Sequence, residues 1–287
     1  MRYRYLRFPE GRAKAVTLSY DDGVIQDVRF AETIGKYGMK CTFNINSALF
    51  GTPTRLGGRL TAEDIKKHLV DKGHEIAVHG DRHIASAAAS PVVCMRDALD
   101  CRLKLEETFG MIIRGMAYPD SGIRVPANGN SYETVKQILS SIGIVYSRTL
   151  GGDNNSFALP TDWHAWMPTA HHRNQELFRY INEFVSLDFE SIGMAASYPR
   201  LFYLWGHTYE FERDNNWDLL DKICECLGGR EDIWYATNME IYEYVKAYDS
   251  LVFSADDRMV YNPTLKTVWF ALDKQVFKVE SGETIKI

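Results

Sequence analysis

Residues 15–23 read AVTLSYDDG, a β-rich apolar run that stops at two adjacent carboxylates and a glycine. An amphipathic stretch follows at residues 25–37, with Gly38 just past its end, so the segment is one strand–helix unit. The same pattern repeats along the chain. Residues 40–46 (KCTFNIN) read as a strand, and Thr61 opens a helix with Asp64 in capping-box position and Gly73 after the last turn. Residues 75–78 form a short strand, and residues 91–109 a long helix entered through a proline tolerated in the first turn. Further strands are expected at 112–118, 144–148, 166–170, 201–205 and 233–236. Helices at 132–141, 175–187, 218–226 and 240–248 separate or follow them. Repeated strand–helix units imply parallel strands with right-handed crossovers, and this many favour a (β/α) barrel over an open sheet. After Tyr248 the texture changes to short strands at 251–254, 267–272 and 275–279, punctuated by turns. The expected organisation is a barrel over residues 1–248 and a small β appendage over 249–287, too short for an independent core.

The chain has 287 residues, 45% hydrophobic and 25% charged, enough to bury a large core without metal or disulfide staples. A metal site found here is therefore expected to be functional. A net charge of −5 with no basic run argues against nucleic acid or an anionic membrane as partner. Five cysteines in no regular framework read as reduced thiols; Cys224 and Cys226 diverge on a helix and make a poor zinc pair. No signal-like run opens the chain, and no stretch of about eighteen apolar residues occurs, so a cytoplasmic protein is expected.

Four segments place polar groups at the C-terminal ends of predicted strands: TLSYDDG (17–23), HEIAVHGDRH (74–83), RGMAYPDSG (114–122) and LWGHTYE (204–210). A parallel barrel gathers those ends on one face, where active sites sit. His79 and His83 are spaced so that two imidazoles can converge on one ion. Adjacent carboxylates are costly unless a cation or a division of roles separates them, the alternative being a helix-capping turn. Asp22 with His79 and His83 makes a one-carboxylate, two-imidazole set that leaves metal positions open, and Asp21 remains as general base. His207 is the candidate acid for an amine leaving group, against the plainer reading of a core histidine. Trp205 stands two residues before it on the same strand face and is the best wall for a pocket. His171 and His172 follow a predicted strand, so one of them is expected at the same rim.

Together these segments resemble the polysaccharide deacetylase family, carbohydrate esterase family four, over roughly residues 14–248. TLSYDDG is similar to its first motif, which maps the base onto Asp21 and a metal ligand onto Asp22. HGDRH is similar to the second, whose histidines complete the metal set, here His79 and His83, and LWGH is similar to the last, which carries the acid, here His207. The resemblance implies a distorted (β/α)7 barrel and a divalent metal, usually zinc, with cobalt, nickel or manganese as alternatives. It also implies a carbohydrate substrate, with acetyl groups removed from N-acetylated sugars.

Two motifs depart from the family pattern. Where the third carries an arginine that orients the base, this chain has Ala117, with Arg114 three residues earlier. Tyr118 is expected to contribute to substrate binding through its backbone N–H. The fourth motif's aspartate–tryptophan pair is matched by Asp162 and Trp163, which predicts that Asp162 hydrogen-bonds His207, directly or through water, and that Trp163 walls the acetyl pocket. The rival readings keep the machinery with a non-sugar amide or O-acetyl ester as substrate, or make the chain a metal-bearing carbohydrate-binding protein without catalysis.

Overall fold

In the computed structural model, which describes residues 3–151 and 153–287, seven short parallel strands curl around one axis. They are β1 (Lys14–Asp21), β2 (Cys41–Ile45), β3 (Glu75–Val78), β4 (Gly115–Ala117), β5 (Tyr146–Arg148), β6 (Ala170–His171) and β7 (Arg200–Gly206). Their order across the sheet is β5-β4-β3-β2-β1-β7-β6. The segment holding β6 touches both ends of this array. Trp166 bridges Arg148 of β5 in parallel, and Ala170 and His171 pair with Leu204 and Trp205 of β7. Closure through so short a contact is what distorts the (β/α)7 barrel. An eighth strand, β8 (Ile233–Tyr235), pairs with β1 at Lys14–Val16, while β2 pairs with β1 further along, from Leu18 to Asp21.

Period-two alternation sorts each strand into an outward and an inward row. Val16, Leu18 and Tyr20 of β1, with Phe202 and Leu204 of β7, belong to the core cluster that the helices cover. Ala15, Tyr146, Leu201 and Tyr203 belong to a second cluster. Counting on by twos along that second row reaches Asp21 on β1, Arg148 on β5, and Trp205 and then His207 on β7. The strand face that fills the barrel thus delivers the polar groups at its C-terminal mouth.

The sequence expectations for the helices hold closely. Helices span Pro91–Phe109 and Tyr132–Ser141, and Thr61 and Asp64 form the reciprocal capping box. A second capping box, Thr237 with Glu240, starts the helix Asn238–Asp249. All five cysteines are free. Among the described residues, no helix is long and apolar enough to cross a membrane.

The C-terminal β region recruits a strand from the other end of the chain. Arg4–Arg7 pairs antiparallel with Val268–Leu272, which in turn pairs with Gln275–Val279. The Tyr244 hydroxyl ties this sheet to the last barrel helix: it donates to Arg7 O at 3.0 Å and accepts from Trp269 N at 2.9 Å.

Candidate active site

Asp21 ends β1 with no exposure. Arg148, also fully buried at the end of β5, donates through Nη2 to Asp21 Oδ1 at 2.7 Å and to Oδ2. Asn44 Nδ2 of β2 donates to Oδ1 at 2.8 Å. Burial by itself would raise the Asp21 carboxyl; the Arg148 guanidinium, with His79 and His207, outweighs it and holds the group at about 2. Asp21 is therefore a carboxylate at any ordinary pH. The guanidinium comes from β5, one strand beyond the position where Ala117 stands, and among the described residues no hydrogen bond or ion pair joins Arg114 to Asp21.

Asp22 faces elsewhere. It has a left-handed backbone, φ 85°, as does His83 at φ 61°, and both are residue types that tolerate that region. Two strained residues in one small constellation mark a geometry that the surrounding structure enforces. Asp22 Oδ1 lies 4.0 Å from His79 Nε2 and 3.7 Å from His83 Nε2, and the three donor atoms fall within 4.8 Å of one another.

His79 supplies the test of whether these residues suit a metal. Its Nδ1 sits 2.9 Å from Ala117 O, and a carbonyl only accepts, so Nδ1 carries the hydrogen. Burial pushes the imidazole down to about 4, so the ring is neutral and Nε2 presents a bare lone pair. That buried Nε2 has no hydrogen-bond partner among the described residues. An orphaned lone pair aimed between a carboxylate and a second imidazole fits a divalent ion, with a backbone carbonyl orienting the ring.

On the other side, His207 Nε2 lies 3.9 Å from Asp21 Oδ2 and its Nδ1 lies 3.5 Å from Glu210 Oε2. Burial alone would lower this histidine, but Glu210, then Asp21 and Asp22, reverse the effect and raise it. Glu210 also meets His171 Nε2 at 3.1 Å and His172 Nε2 at 3.4 Å. Its carboxyl is held well below the usual range by the His171 and His207 imidazoles despite burial. His171, His207 and Glu210 form a second donor set with metal-like spacing. Two guanidiniums, of Arg173 at 3.4 Å and Arg213 at 3.5 Å, sit against Glu210 Oε1, whereas a single one, of Arg59 at 3.4 Å, sits against Asp22 Oδ1.

The sequence-derived candidates thus divide. Asp21, Asp22, His79, His83 and His207 converge, joined by His171 and by Trp205, whose ring lies 4.6 Å from that of His171 and under the Arg148 guanidinium at 4.3 Å. Asp162 is spent elsewhere: Oδ2 accepts from Tyr132 OH at 2.5 Å and Lys136 Nζ at 2.7 Å, and Oδ1 from His164 N at 3.0 Å. No direct Asp162–His207 bond forms; the carboxylate that faces His207 Nδ1 is that of Glu210, at ion-pair range and without a hydrogen bond. Trp163 packs on Trp166 and Tyr242 in the second core cluster, away from the metal-type set. Tyr118 N donates to Arg148 O at 3.1 Å as part of the barrel ladder, and its hydroxyl to His164 O at 2.8 Å, so neither group is free for substrate. His172 turns inward and stacks on Tyr20 and Phe211. Sequence reasoning missed Arg148 and left Glu210 without a role. Each had a signal: Arg148 closes a predicted strand at the rim, and Glu210 follows His207 by one helical turn.

Residues 8–146 match the family model described as polysaccharide deacetylase. That stretch is just under half of the chain and holds β1 to β4 of the distorted barrel. Among solved structures it is similar to a family 4 acetyl xylan esterase from Clostridium thermocellum in complex with a cobalt ion. That likeness is 17% identical over 80% of this chain and 91% of the other, with TM-score 0.46. The peptidoglycan deacetylase PdaC from Bacillus subtilis is 13% identical over 83% and 94%, TM-score 0.46. The Streptococcus pyogenes deacetylase PplD in complex with acetate is 21% identical over 47% and 55%, TM-score 0.40. No protein of curated function matches the chain.

Proposed function

We propose that this chain is a divalent-metal-dependent hydrolase that removes acetyl groups from N-acetylated sugars, releasing acetate and a free amine. The observation that carries this reading is the division of labour between two adjacent carboxylates. Arg148 and Asn44 clamp Asp21, while Asp22 is open toward His79 and His83. Asp22, His79 and His83 would hold the ion, zinc or another divalent transition metal. When bound, the ion supplies Lewis acidity to a carbonyl oxygen and acidifies water, which lets a carboxylate as weakly basic as Asp21 act as base.

Asp21 receives the water proton on Oδ2, the oxygen that faces His79 and His207. His207, kept protonated by Glu210, hands its Nε2 proton to the departing nitrogen. Trp205 walls the space beside His207 and excludes water from it. The same groups could open an O-acetyl ester. The amide is favoured because an amine leaving group requires a proton, and the His207–Glu210 pair is built to retain one.

The test is acetate release from N-acetylated oligosaccharides by protein loaded with zinc, read together with metal content. His79→Ala or His83→Ala loses metal and turnover together. His207→Ala keeps about one ion per chain and loses about 10²–10⁴-fold in rate. Metal loss in His207→Ala equal to that in His79→Ala would exchange the assigned roles; full activity in His207→Ala would remove it as the acid.

A further inference from the structure

The mouth of the barrel is not electrically neutral. Beside the metal-type set lies a cavity of about 480 Å³ lined by Asp22, Tyr209 and three arginines, Arg55, Arg59 and Arg213. Asp22, the only acid in that lining, is assigned to the metal. Three guanidiniums facing one cavity reverse the sign of a chain whose net charge is −5.

Two of the three are already held. Arg59 Nη1 donates to Asp22 O and to Asn46 Oδ1 at 2.9 Å. Arg213 pairs with Asp214 at 2.8 Å and with Glu210 at 3.5 Å. Arg55 is different: it is exposed, and among the described residues it makes no hydrogen bond or ion pair. It sits between the two short strands of the hairpin Pro53–Thr54 and Gly57–Gly58.

That hairpin is fastened to the loop that carries Asp22. Leu60 N donates to Gly23 O at 2.8 Å, Ile25 N to Gly58 O at 3.0 Å, and Gln26 Nε2 to Leu56 O at 2.6 Å. A Cβ on Gly57, which has φ 110°, would stand 2.3 Å from Ile25 Cδ1, so the hairpin approaches as closely as it can. An unpartnered guanidinium is thus carried on a wall fixed against a metal ligand. The planar fork of arginine matches carboxylate and phosphate oxygens, and held guanidiniums behind it add attraction without competing for its hydrogen bonds.

We propose that the substrate carries, near the acetyl group, an anionic substituent, a carboxylate or a phosphate, bound by Arg55 with Arg59 and Arg213 behind it. This rests on the deacetylase reading and narrows its substrate class to acidic N-acetylated sugars. The test compares three matched probes: di-N-acetylchitobiose, its C6-carboxylate and its C6-phosphate. Binding is measured by calorimetry on zinc-loaded His207→Ala protein, with and without Arg55→Gln, and acetate release is measured separately on the wild-type enzyme.

The expected result is that one anionic probe binds about tenfold or more tightly than the neutral one, the worth of one charge-assisted hydrogen bond. Arg55→Gln removes most of that margin and Arg55→Lys keeps part of it; which probe gains says whether the substituent is carboxylate or phosphate. This pattern with no acetate released from any probe upholds the anion subsite and sinks the deacetylase reading alone. Equal affinity for all three probes, no binding of any, or a margin that survives Arg55→Gln overturns the anion subsite. Acetate release alongside any of those results leaves the deacetylase reading standing.

Discussion

Asp21 and Arg148 are both fully buried, and neither is tolerable alone. Removing one partner of a buried ion pair leaves an uncompensated charge, at a cost of about 3–5 kcal/mol. Arg148→Met is therefore expected to lower the unfolding free energy by about that amount and to raise the Asp21 carboxyl, since burial then loses its largest opponent. The proposed base role requires Asp21 as a carboxylate, so the acid limb of the pH–rate profile is expected to move to higher pH, and Arg148→Lys to restore part of it. The sign for stability follows from a depressed pKa. The contribution is present above the unfolded value of about 3.9 and is lost as pH falls toward the folded value of about 2. An acid limb unmoved in Arg148→Met would remove Arg148 from the mechanism. His207 runs the other way, because its folded pKa is raised. Its stabilisation is complete below about 6.5 and is lost as pH rises through the folded value. Glu210→Gln should bring the alkaline limb of kcat/KM to lower pH while metal content stays at one ion per chain. Loss of metal in that variant would instead mark the His171–His207–Glu210 set as an ion site.

At the scale of elements, the loop after β3, which carries the proposed ligands His79 and His83, is braced by the helix Pro91–Phe109. Asp97, on the helix Pro91–Phe109, accepts from Arg82 N at 2.8 Å, and its backbone carbonyl accepts from Asp81 N at 3.0 Å. Gly80 has φ 73°, and a Cβ there would meet Asp97 Oδ2 at 2.2 Å. Gly80→Ala must therefore displace either the loop or the carboxylate that braces it. Disturbing the support of a metal ligand typically costs about 10–100-fold in affinity. Competition titration with a chelator is expected to show a loss of that size for Gly80→Ala, with far-UV circular dichroism unchanged. Wild-type zinc affinity in this variant would mean that the loop does not set the ligand geometry.

At the scale of the whole molecule, the two chain ends share a sheet, and Tyr244 joins it to the barrel through its two hydrogen bonds. Tyr244→Phe leaves Arg7 O and Trp269 N without that partner, and an unsatisfied buried polar group costs about 1–3 kcal/mol. The urea midpoint should fall accordingly while kcat/KM holds, because none of these atoms belongs to the barrel mouth. A variant with unchanged stability but impaired turnover would instead couple the appendage to the active site.

Much of this protein is local and was legible as such. The strand β3 and the helices Pro91–Phe109 and Tyr132–Ser141 follow from periodicity, caps and a first-turn proline, which act over a few residues. Asp21 and Asp22, and the His79–His83 pair, were readable because each group lies within one turn or loop and its spacing carries the chemistry. What brings those groups together is strand order, which no local pattern encodes. Only the barrel sets Arg148, 127 positions away in sequence, against Asp21, and only it hands the partner of His207 to Glu210 while Asp162 is taken by Lys136 and Tyr132. The pairing of Arg4–Arg7 with Val268–Leu272 is of the same kind. The sequence by itself determined most of the side chains of the proposed site and the strand ends on which they stand. Tertiary structure alone decided their partners, because a buried charge is satisfied by whatever group the curled sheet places beside it, however distant in the chain.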